Sequence, residues 1–531
     1  MKRKLLRGIC PARLLLYCEF FHSNRPVRRL FRLTFFIFLG FSPAITTLCA
    51  QEPEPELTRR VLSILERYGQ DPADWGIQVR SLTRGDDLVS LNSHRRFMPA
   101  SNLKLLVTAA ALDNLGPDFR YRTTVMAVGR ISPEDSVLVG DLVLRGSGDP
   151  TISDRFYPAT EHVWEELAGQ VYDAGIRRVS GALVADNTLF VPPFRADGWS
   201  WEDLMWYYAA PVSAISYNDN CIDIEVFPGS KAGQRPEVRI KPAGTRLRLI
   251  NRASTVTSKT EDRLLITRDS PGGRLNLDGG IYHRSLGFLE HVSVESPCMF
   301  ATNAFADALA RRGVRIDRPV RLLNAPVDST HYLQKSPLIV AQHSSVPLSE
   351  IVQVINKRSH NFYAEQLLFT LGAYLGQEGS FAGGLEVEKR FLEKIGIDTR
   401  TFRLEDGSGL SRLNLVTTEM FVRLLAYMDK HRLREIYFSS LPVGGIDNGV
   451  RMMRRTAADG KVFAKTGYIS AVIALSGYAS TAEEETVAFS IMGNNWLISR
   501  RAARRLIRDV CLAVAEFNRS SPAVGADSVS P

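Results

Sequence analysis

Between Tyr121 and Ser293 the sequence changes texture, and this interruption restricts what the chain can fold into more than any other feature. Short alternating runs (Thr123 to Val128, Ser136 to Leu144, Val179 to Val184, Glu237 to Lys241, Arg246 to Asn251) are divided there by Gly, Pro and Asp. Alternation with a period of two sets one face of a strand against a core, so the tract reads as β structure with one helix near His162 to Tyr172. The flanks follow another rule. Leu57 to Tyr68 has a helical spacing of Leu, Val and Ile, Gly76 to Leu82 alternates like a strand, and Leu103 to Leu115 is a helix stopped by Gly116-Pro117. Helical periodicity returns at Pro297 to Arg311, Leu348 to Gly372, Gly384 to Lys394 and Thr418 to Lys430. Two strands, Ala471 to Tyr478 and Val487 to Gly493, flank an acidic turn, and a helix from Ser499 to Phe517 comes after them. The expected fold class is α/β, with one domain in two parts (51–120 and 294–519) around a β-rich insertion (121–293).

Charge bears on function once it is divided. The 531 residues carry a formal +9, but residues 1–50 hold nine Lys and Arg against the single acid Glu19, so the rest carries only +1. A near-neutral body has no electrostatic footprint for nucleic acid. The basic residues precede an uncharged, mostly apolar run from Leu33 to Ala50, after which Gln51-Glu52-Pro53-Glu54 begins. That arrangement is expected of a secretory signal peptide over 1–50, cut after Ala50, with the body in the periplasm. An uncleaved anchor is the other reading of the same run, which Gly40 and Pro43 weaken. Past the leader stand Cys221, Cys298 and Cys511, too far apart for zinc spacing, and the nine histidines form no paired cluster, so no metal site is expected. Residues 520–531 read as a disordered end.

Three short motifs carry chemistry. Ser101 and Lys104 stand three apart at the start of a helix, on one face, where their side chains can meet. A serine hydroxyl is a weak nucleophile and needs a base. Lys104 serves only if burial or a second cation lowers its pKa, and Lys465 is a candidate for that cation. The helix start also favours negative charge developing near Ser101. Ser359-His360-Asn361 precedes a second helix, and Lys465-Thr466-Gly467 is expected to open a strand. Singly, each motif is more often a cap or a turn. In this order they match the serine–lysine set of penicillin-binding proteins and class A β-lactamases.

The match narrows on longer stretches: Gly146-Ser147-Gly148-Asp149-Pro150, Gly198-Trp199-Ser200-Trp201, Ala210-Pro211-Val212-Ser213-Ala214, Asn361-Phe362-Tyr363-Ala364-Glu365 and Asp406-Gly407-Ser408-Gly409-Leu410-Ser411-Arg412. With these the chain resembles the D-alanyl-D-alanine carboxypeptidase/endopeptidase family of low-molecular-mass class C penicillin-binding proteins, the penicillin-binding protein 4 type. The resemblance implies a serine β-lactamase/DD-peptidase-like domain interrupted by a β-rich two-domain insertion, with no cofactor. It implies Ser101 as nucleophile on peptidoglycan stem peptides, Lys104 as its base and Ser359 as proton relay. Asn361, Lys465, Thr466, Gly467 and Tyr468 would hold the substrate, with Ser101 and Tyr468 N–H groups around the oxyanion. Arg412 matches a family arginine that reaches the diaminopimelate side chain, and β-lactam antibiotics are implied as covalent inhibitors. His360 departs from the usual Asp or Asn, and Asp447-Asn448-Gly449-Val450 from the usual Asp-Gly-Thr-Leu.

Competing readings remain at this level. A class A β-lactamase needs a Glu-x-x-Leu-Asn segment after the Ser-x-Asn motif, and none follows Asn361 at suitable spacing. An inactive or sensory peptidoglycan- or penicillin-binding module is the alternative from another class, opposed by the intact motifs. Trimming of stems and cleavage of cross-links stay undivided. The arginine-rich last helix reads as a packed helix with a solvated basic face rather than a membrane-surface one. Trp199, Trp201, Trp206, Tyr207 and Tyr208 read as packing rather than a glycan patch.

Overall fold

The computed structural model describes residues 55–519 apart from 72–73, 244, 246, 270–273 and 324–325; the expected leader and tail lie outside them. The strand Trp75–Ser81 is buried almost throughout. It lies between Thr486–Asn494 and Asp87–Leu91 in an antiparallel five-stranded sheet completed by Val472–Ser480 and, at the edge, Val462–Ile469. Both faces are covered, which accounts for the lack of alternation. On one face the helix Glu56–Arg67 presents Leu57, Val61, Ile64 and Leu65, a three-to-four spacing, and joins Arg500–Ala515 over Ile77, Leu475 and Ile491. On the other lies the helix Lys104–Leu115, packed among Leu348–Arg358, Asn361–Leu375, Phe381–Lys394 and Thr418–Asp429. Every residue from Lys104 to Leu112 is buried, so this helix runs through the core with Lys104 as the charged residue of that span.

The inserted region forms two modules. Arg122–Ser132 and Val137–Arg145 pair antiparallel, and Arg178–Asp186 joins Val137–Arg145 in parallel. Helices His162–Asp173 and Pro297–Arg312 cover this sheet through Trp164 and Phe305. The second module sets Phe288–Ser293, Cys221–Phe227 and Glu237–Lys241 against a sheet built on Arg263–Arg268 and Leu275–Tyr282, around Ile222, Ile224, Leu275 and Leu277.

The expected boundary at 294 needs correction. Arg315–Leu323 pairs with Arg178–Asp186 and Leu338–Ser344 with Arg122–Ser132, as the two edges of the first module's sheet. Edge strands bury little, and Arg315, Arg318 and Arg321 break the alternation that would have marked the first of them. The periodic run Leu348 to Gly372 is two helices, divided where Ser359 turns left-handed at φ 57°.

Candidate active site

Ser101 sits in a short 3-10 turn, Ala100–Leu103, that leads into Lys104–Leu115. Ala100 before it has φ 45°, a left-handed conformation that costs an L-residue free energy. The turn sets Lys104 Nζ 2.8 Å from Ser101 Oγ, 2.6 Å from Asn361 Oδ1 and 2.8 Å from the carbonyl oxygen of Ser408. A neutral amine has two N–H groups and one lone pair. With the first two directed at Asn361 and Ser408, the lone pair is left facing the Ser101 hydroxyl. Lys104 is fully buried, and burial brings its pKa down to about 7 against the pull of Glu365 and Asp406. Lys465 is likewise held well below its ordinary value, by burial and by repulsion from Lys104.

Ser359, Asn361 and Lys465 converge on the same place. Asn361 begins its helix, and its Nδ2 donates to the Tyr208 carbonyl at 2.8 Å, which turns Oδ1 towards Lys104. Lys465 Nζ donates to Ser359 Oγ at 2.8 Å and to the Thr466 carbonyl at 2.7 Å. Lys465-Thr466-Gly467 lies in the middle of Val462–Ile469 and does not open it. Gly467 lets this edge strand approach the serine turn, because a Cβ there would stand 2.7 Å from the Pro99 carbonyl oxygen and 3.1 Å from the Ser101 nitrogen. Tyr468 is part-exposed with the Arg500 guanidinium 3.9 Å from its ring centre. A cavity of about 240 Å³ opens beside Thr466, Gly467 and Tyr468, with Arg500 and Arg504 at its side.

Behind these residues stand groups that motif spacing did not single out. Glu365, fully buried one turn after Asn361, accepts the Gly407 and Ser408 N–H groups at 2.9 and 2.8 Å and so aims the Ser408 carbonyl at Lys104. Burial and the neighbouring Asp406 push the Glu365 carboxyl up to about 8. Asp406 accepts from Gly409 N, Ser411 N and the Trp199 indole. Arg412 lies on the surface and donates to the Ser470 carbonyl at 2.8 Å, beyond the end of the Lys465 strand. Trp206 is half-buried against the second module's core, whereas Trp201 is exposed. The last helix packs along the sheet through Leu506, Ile507 and Val510. Cys221, Cys298 and Cys511 are buried free thiols.

The D-Ala-D-Ala carboxypeptidase 3 (S13) family profile matches residues 58–516. The D-alanyl-D-alanine carboxypeptidase of Actinomadura sp. (strain R39) is 33% identical over 468 residues, covering 86% of this chain and 84% of that one. The D-alanyl-D-alanine carboxypeptidase DacB of Haemophilus influenzae is 25% identical over 421 residues, 78% of this chain and 84% of its own. The crystal structure of penicillin binding protein 4 (dacB) from Haemophilus influenzae superposes with a TM-score of 0.74 at 23% identity, covering 86% of this chain and 99% of that one, which shows a shared fold. From the matched span and the Actinomadura relative together, the chain belongs to the D-Ala-D-Ala carboxypeptidase 3 (S13) family.

Proposed function

We propose that this chain is an exported serine-type D-Ala-D-Ala carboxypeptidase that acts on peptidoglycan stem peptides through an acyl-enzyme on Ser101. The observation that carries the reading is the set of three contacts around Lys104 Nζ, two to fixed acceptors and one to the Ser101 hydroxyl. Ser101 Oγ attacks the carbonyl carbon of the penultimate D-alanine while its proton passes to neutral Lys104. The oxyanion forms between the N–H groups of Ser101 and Tyr468, which the close passage of Gly467 supports; one such donor is worth about 3 kcal/mol. The peptide C–N bond then breaks as Ser359, bonded to Lys465, relays the proton taken up by Lys104 to the departing amine. The substrate carboxylate lies beside Lys465 and Thr466, where its charge favours the ammonium form of the buried lysine. Asn361 holds the substrate amide as well as Lys104, and Arg412 reaches the side chain of the third stem residue. Water releases the acyl group, and a penicillin in place of the stem leaves Ser101 acylated.

Incubation with penicillin followed by intact-mass analysis should show one adduct, and peptide mapping should place it on Ser101. Folded protein with no adduct, as the alternative of a non-catalytic binding module requires, or an adduct elsewhere, overturns the reading. Digestion of purified muropeptides, read by mass, should show loss of D-alanine, and split dimers in the same spectra would add endopeptidase action.

A further inference from the structure

We propose that Asp219, supplied by the inserted region, is a positioning residue that acts through His360 to hold the turn carrying Ser359 and Asn361. The inference rests on the serine–lysine reading of the site. One residue separates Ser359 from Asn361, and its side chain is where the turn can be gripped. His360 is buried, with Nε2 3.1 Å from Asp219 Oδ2. Its Nδ1 has no partner among the described residues, which favours the tautomer carrying hydrogen on Nε2, the one that donates to Asp219. The carboxylate also accepts from Arg155 Nη2 at 2.6 Å and from the Tyr363 hydroxyl at 3.0 Å. Tyr363 lies two residues beyond Asn361, so Asp219 holds the helix start from both sides of the asparagine.

The anchor is itself constrained. Asn218, Asp219 and Asn220 are all left-handed, at φ 49°, 53° and 55°. Such a run persists only where its surroundings over-determine it. Asn220 Nδ2 donates to the Pro211 carbonyl at 2.9 Å, and Asn218 Nδ2 to the Cys221 carbonyl at 2.9 Å. Ser359 is left-handed as well, so two strained turns meet across one His–Asp contact. Burial alone would raise the Asp219 carboxyl, yet His360 and Arg155 beside it hold it well below the usual carboxylate range. The inserted region touches the motif again at Tyr208, whose carbonyl fixes Asn361. Histidine stands at 360 in place of the usual Asp or Asn. Its longer reach is what meets Asp219, and an aspartate there would bring a second carboxylate against the first.

The test uses the whole protein with fluorescent penicillin as probe, after the wild type has been shown to be labelled on Ser101. Failure of that labelling would count against the parent reading and is distinct from any difference among the variants. His360→Leu and Asp219→Ala should each slow acylation by about tenfold or more, the scale of a lost hydrogen bond to a charged group. His360→Gln, which keeps an N–H donor near the position of Nε2, should stay within about threefold of the wild type. The double variant His360→Leu/Asp219→Ala should lose no more than the slower single variant, because Asp219 acts through His360. If Asp219→Ala does not fold, Asp219→Asn, which keeps the shape and removes the charge, takes its place in the cycle. Wild-type rates in His360→Leu, equal loss in the Gln and Leu variants, or losses that multiply in the double variant would each overturn the proposal.

Discussion

At Lys104 the surroundings leave the amine one direction for chemistry, and its ionisation sets when that direction is usable. Only the neutral form can take the Ser101 proton, and the pKa near 7 puts the change within the working range. Acylation by penicillin should therefore be level above that pH and fall by about tenfold per unit below it. A profile that stays flat between pH 5 and 8 would remove Lys104 as the base. Lys104→Arg keeps its charge at every accessible pH and should lose about 10²- to 10⁴-fold in acylation rate. Lys465→Arg should keep partial activity and Lys465→Ala much less, if Lys465 contributes mainly charge. Equal losses in the two, with circular dichroism unchanged, would refute that role. Ser101, Lys104, Ser359, Asn361 and Lys465 could be picked out from the sequence because their chemistry depends on short spacings and residue type. The parts played by Glu365, Ser408 and Asp219 could not. Glu365 works through two backbone amides, Ser408 through its carbonyl, and Asp219 across 141 positions of chain, so the stretches that hold them give no sign of these roles.

Among the elements, the helix Phe381–Lys394 carries a cost that its sequence conceals. Glu388 is fully buried in this helix, which packs against Asn361–Leu375, and neither carboxyl oxygen has a hydrogen-bond partner among the described residues. Burial first, then Glu365 and Asp406, push its pKa well above the ordinary value of 4.5. The ionisation penalty of a carboxyl raised in this way is absent below the ordinary value and grows as pH climbs towards the folded one. Glu388→Met, similar in length and without charge, should stabilise the protein by about 1–3 kcal/mol at pH 8 and by less at pH 4. Denaturant unfolding at the two pH values measures this, and a variant less stable than the wild type at both would show that the carboxyl is satisfied. Legibility at this scale tracked burial. The helices and central strands were evident from their apolar spacing, whereas the edge strands Arg315–Leu323 and Leu338–Ser344 were not, since half-exposed strands need no strict alternation.

For the whole molecule, the division of charge bears on where the protein works. Residues 1–50 hold nearly all the basic excess, and an apolar run from Leu33 to Ala50 precedes a neutral body. Protein recovered from the envelope should begin at or near Gln51 on N-terminal sequencing, and full-length chain found in the cytoplasm would defeat the export reading. The sheet beside the site adds a constraint of timing. Its strand Trp75–Ser81 waits for the central strand Thr486–Asn494, and Lys465 comes 364 residues after Ser101. Pairings this distant in sequence close late and slowly. The nucleophile is thus among the first parts of the body to leave the ribosome and the last to receive its partners. A nascent chain stopped anywhere before the Thr486–Asn494 strand holds a serine with no finished site around it. Synthesis itself keeps the carboxypeptidase site unfinished until that strand has been made.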